Sequence, residues 1–105
     1  MLIQSKNIIG GGDIWAPDAN GAVQEQPITT TNAYVEFTGV PAVAGYGYEV
    51  FMDMDYAATP GTDAPKQLGK LAFTLVNGTY TVRCNFSTTP TAAQAGGKCR
   101  LRIYR

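Results

Sequence analysis

The sequence predicts an all-β fold, an antiparallel β-sandwich or barrel of about six to eight short strands in a single domain spanning residues 1–105. Three observations carry this expectation. Asn77-Gly78 stands between two alternating runs, the strongest short signature of a hairpin, because the tight turn requires positive φ at both central residues. Residues 46–56 and 98–105 also alternate with period two. No segment combines a 3.6-residue apolar period with helix caps, and glycine and proline punctuate the chain throughout.

The elements follow in order. Residues 2–9 read as a first strand, and the glycines at 10–12 as a turn or bend. Trp15 follows, between Asp13 and Pro17. Such a tryptophan serves as core, as an interface anchor or, with nearby tyrosines, as a platform for sugar rings. Residues 32–40 turn Ala33, Val35 and Phe37 to one face. In 46–56, Tyr46, Tyr48, Val50, Met52, Met54 and Tyr56 form the inward face, leaving Glu49, Phe51, Asp53 and Asp55 outward. Pro41 and Pro60-Gly61 mark loops.

The hairpin over residues 70–86 has its register fixed by the two-residue loop. Val76 opposes Thr79, Leu75 opposes Tyr80, Phe73 opposes Val82 and Leu71 opposes Cys84. Its expected core face is Leu71, Phe73, Leu75, Tyr80, Val82, Cys84 and Phe86. Residues 87–97 form a long surface loop with at most one helical turn, at 91–95. In the last strand Cys99, Leu101 and Ile103 point inward, and Arg100, Arg102 and Tyr104 outward. Setting it beside residues 79–86 with Cys99 opposite Cys84 brings every apolar residue to the core side and completes a C-terminal β-meander.

The composition narrows the chemistry. There is no histidine, which removes the usual neutral-pH acid–base group and the commonest metal ligand. Neither serine lies in a nucleophile elbow. Gly10–Gly12 with Asp13 lacks the lysine of a phosphate loop. Two cysteines are too few for a zinc site. They read as a buried reduced pair, with a cross-strand disulfide as the alternative. Asp53, Asp55 and Glu49 lack the spacing of a calcium loop. The expectation is therefore a protein without enzymatic activity, catalytic residues, metal or cofactor.

Charge is unevenly spread. All eight acidic residues lie before residue 64, while seven of the eight basic residues lie after residue 65. Placed on strands, this gives an acidic face at Glu49, Asp53 and Asp55 and a basic face at Arg83, Arg100 and Arg102. The two faces suit each other, within one chain or between copies. Contact between copies would be heterologous and self-propagating. An overall charge of zero disfavours nucleic acid as the partner.

Residues 1–12 carry neither a long apolar stretch nor a small-residue cleavage site, so synthesis is expected in the cytoplasm, with no membrane attachment. A compact, histidine-free all-β chain rich in glycine, alanine, threonine and proline resembles small bacteriophage virion proteins of the capsid-decoration and head-fibre type. The likeness lies in composition over the whole chain rather than in a motif. It implies a structural role in the virion, exerted by self-association into a homo-oligomer or by docking onto a larger assembly such as a capsid. The expected contact residues are Trp15, Glu49, Phe51, Asp53, Asp55, Arg83, Arg100, Arg102 and Tyr104. The alternative is a carbohydrate-binding β-sandwich that uses exposed aromatics.

Overall fold

A computed structural model describes residues 25–104. These form strands β1 (Glu25–Pro27), β2 (Tyr34–Pro41), β3 (Gly47–Asp53), β4 (Ala72–Val76), β5 (Thr79–Asn85) and β6 (Lys98–Tyr104), with a single 3-10 turn at Met54–Tyr56. The strands make two antiparallel sheets, ordered β1-β6-β3 and β2-β5-β4. The sheets pack as an open sandwich rather than a closed barrel. No helix among the described residues is long and apolar enough to cross a membrane. The expected strand at 2–9, the bend at 10–12 and Trp15 lie outside the described residues.

The core is built by strand alternation. Val35 and Phe37 of β2, Val82 and Cys84 of β5, and Cys99, Leu101 and Ile103 of β6 are buried between the sheets. Half-buried Tyr48, Val50 and Met52 of β3 pack against them. In β2, Thr38 and Gly39 lie opposite the single residue Thr81, forming a β-bulge. The bulge shifts the parity by one, so Val40 turns inward and is fully buried. Plain alternation would have turned Val40 out. Asn77-Gly78 closes the β4–β5 hairpin with φ of 51° and 85°, in the expected register. Asparagine and glycine are the residues that hold this left-handed geometry at least cost.

Three sequence expectations are corrected. The first is the C-terminal meander: β6 pairs with β3 and β1, not with β5. Residues 86–97 carry the chain from one sheet to the other, so Cys84 and Cys99 belong to different sheets and meet across the core. Alternation fixes which face of β6 is buried, but either neighbour satisfies it. The second concerns Phe73 and Leu75, which were expected in the core and are exposed. They stand on the edge strand β4, where the opposite sheet covers Phe73 only in part, through Tyr48, and leaves Leu75 65% exposed. The third is the strand at 46–56, which ends at Asp53. There the Asp53 carboxylate accepts from the Asp55 backbone N–H and caps the 3-10 turn. Tyr56 is consequently exposed instead of inward.

The 86–97 crossing is held firmly. One helical turn forms where expected, with Ala95 N–H donating to Thr91 C=O. Gln94 and Thr91 cap it reciprocally, side chain to backbone. Backbone bonds tie Gly96 and Gly97 to Ile28, and Ala93 and Ala95 to Thr59 and Ala58. The three-residue strand β1, which no alternation announced, is thereby anchored beside β6.

Candidate functional site

The acidic and basic faces meet inside one chain. On the outer face of the β1-β6-β3 sheet, Arg102 Nε donates to Glu49 Oε1 at 2.6 Å. Arg100 Nη2 lies 2.8 Å from Glu25 Oε2 and 3.9 Å from Asp53 Oδ2. Lys98 Nζ stands 4.0 Å from Glu25 Oε1. The register causes this, since it sets Glu49 opposite Arg102 and Glu25 opposite Arg100, and makes Lys98–Glu25 and Arg100–Asp53 diagonal neighbours. Opposite charges on facing cross-strand positions stabilise a sheet modestly. Arg100 Nε is buried without a hydrogen-bond partner.

On the other sheet, Arg83 donates from Nε and Nη2 to Glu36 Oε2 at 2.9 and 2.7 Å. Its guanidinium lies 3.8 Å above the Tyr34 ring. Arg102 sits 4.9 Å from the centre of the Tyr104 ring, and Lys98 5.4 Å from that of Tyr56. Tyr104 in turn covers Gly47, where a Cβ would come within 2.5 Å of the ring. A glycine is needed at that point of β3 for the ring to approach the backbone so closely.

Of the expected contact residues, Glu49, Phe51, Asp53, Arg100, Arg102 and Tyr104 share one sheet. Arg83 lies on the other sheet, Asp55 in the 3-10 turn, and Trp15 outside the described residues. Glu25 and Glu36 were not singled out in the sequence, yet they neutralise Arg100 and Arg83. Their positions opposite these arginines follow from strand pairings that local sequence does not reveal.

A different surface stands out in the structure. The sandwich is open along the β3/β4 side. Tyr48, Phe73 and Tyr80 form a three-ring cluster there, with centroids 5.1 to 5.9 Å apart in edge-to-face arrangement. The Tyr48 hydroxyl donates to Pro41 C=O at 2.7 Å and accepts from Val43 N–H at 2.8 Å, which fixes the ring against the β2–β3 connection. Beside the cluster runs a cleft of about 680 Å³. Its apolar walls are Tyr48, Val50, Leu71, Phe73 and Tyr104, and Glu49, Gln67 and Lys70 supply polar groups. Next to it β4 leaves Leu75 and Val76 exposed. Ion pairing leaves this apolar surface uncovered.

Cys84 and Cys99 are free, buried thiols. Burial pushes the Cys84 thiol up to about 11. Burial and the neighbouring Cys84 push Cys99 up to about 12. Both stay protonated at neutral pH and are poor nucleophiles. Among the described residues no cluster of three or more histidine, cysteine, aspartate or glutamate side chains is placed to hold a metal ion.

No protein-family model, curated protein or solved structure matches this chain.

Proposed function

We propose that the chain is a non-enzymatic assembly module that contacts other protein through the open β3/β4 side of its sandwich. The observation that carries this reading is the exposed apolar strand β4 beside the Tyr48–Phe73–Tyr80 cluster, on a molecule whose strand charges are largely satisfied within the chain. Exposed apolar area of this kind marks contact surfaces. Paired surface charges contribute little attraction to a partner. The acidic and basic faces, expected from sequence to meet within one chain or between copies, pair within the chain, and the surface offered to a partner is instead apolar. A virion component of the capsid-decoration type is the particular assembly that the composition favours, with a capsid or further copies of the chain as partner.

The test is photocrosslinking in the cells that make the chain. A photoreactive phenylalanine analogue replacing Leu75 is expected to capture protein, and the same group replacing Ala92 in the 86–97 crossing is not. Absence of adducts from position 75, or equal capture from both positions, overturns the reading.

A second reading, carbohydrate binding, is favoured by the cleft itself. Aromatic rings with nearby carboxylate, amide and ammonium groups suit sugar rings. The Phe73→Ala and Gln67→Ala variants, which remove a ring and an amide that line the cleft, would then lose glycan-array signal that the wild type gives. A blank array for the wild type removes this reading.

A further inference from the structure

Folded proteins blunt the edges of their sheets with charge, proline, bulges or short length. The described sandwich has edges at β1, β2, β3 and β4. β1 is three residues long and ends in Pro27. β2 carries Glu36, the Thr38-Gly39 bulge and Pro41. β3 carries Glu49 and Asp53. β4, Ala-Phe-Thr-Leu-Val, has no charge, no proline and no bulge, and all five of its residues are exposed.

We propose that β4 is the seam of a two-fold homodimer, in which the β4 edges of two copies pair antiparallel about Thr74 and join two three-stranded sheets into one. This rests on the protein-contact reading above and names the partner as a second copy.

The backbone supports this register. The two-residue loop makes Val76–Thr79 the hydrogen-bonded closing pair of the hairpin. By alternation Ala72, Thr74 and Val76 turn their N–H and C=O groups toward β5, and Phe73 and Leu75 turn theirs outward. An axis at Thr74 sets Phe73 opposite the partner's Leu75, so the two outward-facing residues exchange both hydrogen bonds. On the same face their side chains pack, aromatic against aliphatic. The threonines meet on the axis as a close, non-hydrogen-bonded pair.

Charge and area fit a second copy as well. Nothing on β4 is charged, and this register places Lys70 of each copy at opposite ends of the seam, so no like charges face each other. Phe73, Leu75 and Val76 are 43%, 65% and 46% exposed. Their exposed parts amount to on the order of 300 Å² of apolar surface per copy. Even with the strand backbone added, the seam stays below the ~1,200 Å² of standard specific interfaces, in the range of weak, transient contacts. That size fits a weak, reversible dimer.

The test is sedimentation of the full chain from roughly 1 µM to 1 mM, combined with amide hydrogen exchange. A monomer–dimer equilibrium is expected, with the Phe73 and Leu75 amides protected only in the dimer. Thr74→Lys and Thr74→Glu each place like charges opposite one another on the axis, so either variant alone weakens the dimer about fivefold or more, and their mixture restores it. Thr74 is exposed, so neither substitution threatens the fold, and Leu75→Lys provides a second disruption. A chain that stays monomeric throughout overturns the proposal. So does protection of the two amides in the monomer, where the chain's own residues would cover the edge. A dimer indifferent to the Thr74 substitutions, or a mixture that does not recover, overturns the seam. The protein-contact reading survives each of these results if the photoreactive group at position 75 still captures protein.

Discussion

Arg102 of β6 and Glu49 of β3 face each other across neighbouring strands and close a 2.6 Å hydrogen-bonded ion pair. This contact joins the basic end of the sequence to its acidic part, 53 residues apart. With the Arg100–Glu25 and Arg83–Glu36 pairs, it converts a lopsided linear charge distribution into a locally balanced surface.

The charges of the Arg102–Glu49 pair are substantially exposed, at 36% and 47% for the two side chains. Solvent screens them accordingly. The Glu49→Gln and Arg102→Gln variants are expected to lose no more than about 1 kcal/mol of stability each, with the double variant showing coupling of similar size. Urea denaturation at low and high salt checks this, and the loss should shrink as salt rises.

The core and edge leucines should behave oppositely. Leu101 is fully buried between the sheets, whereas Leu75 is exposed on β4. Leu101→Ala is expected to cost about 2–5 kcal/mol through lost burial and a residual cavity. Leu75→Ala should change monomer stability by no more than about 0.5 kcal/mol. Urea midpoints compared at dilute concentration, where any association is negligible, give both numbers.

The buried thiols make stability fall at alkaline pH. Their folded values of about 11 for Cys84 and about 12 for Cys99 lie above the ordinary 9.0. A raised value means that the unfolded chain gives up its thiol protons first. The thiol contribution is therefore complete below pH 9 and is lost progressively between pH 9 and 12. The wild type should lose stability over this range more steeply than the Cys84→Ala/Cys99→Ala double variant. In the native protein, a thiol reagent at neutral pH should label neither cysteine until the chain is unfolded.

The hairpin turn should tolerate little change. Gly78 holds φ at 85°, a geometry that costs an L-residue with a branched side chain about 1–2 kcal/mol. Gly78→Val is expected to lower stability by this amount, whereas Asn77→Gly should be close to neutral, as the thermal midpoints of the two variants will show.

Local features of the fold were legible in the sequence. Asn77-Gly78 set a register that the structure reproduces pair by pair, and the inward faces of β5 and β6 followed from alternation. What alternation leaves open is which sheet a strand joins. Leu101 and Ile103 are equally well buried beside β5 or across from it, so the meander and the Cys84–Cys99 cross-strand pairing were indistinguishable from the observed crossing. The bulge at Thr38-Gly39 has no alternation to betray it, and β1 is too short to show any. Phe73 and Leu75 carry a core-like pattern. Their exposure depends on how far the opposing sheet extends, a property of tertiary packing.

The same limit governed the candidate surface. Glu49, Arg100 and Arg102 were correctly placed on outer faces, but their use depended on long-range pairing. Once Glu25, Glu49 and Asp53 flank β6 on both sides, the charges answer one another. The uncharged strand β4 is then left unanswered, and its significance lies in what it lacks. An edge without charge, proline or bulge is visible only when the sheet order is known.

The most direct measurement of the central claim is the salt dependence of self-association, followed by sedimentation of the full chain at low and high sodium chloride. Contact through apolar β4 should give a dimer that persists, or tightens, as salt rises. Dissociation of the dimer by salt would mean that the charged faces do the binding after all, and would contradict the claim.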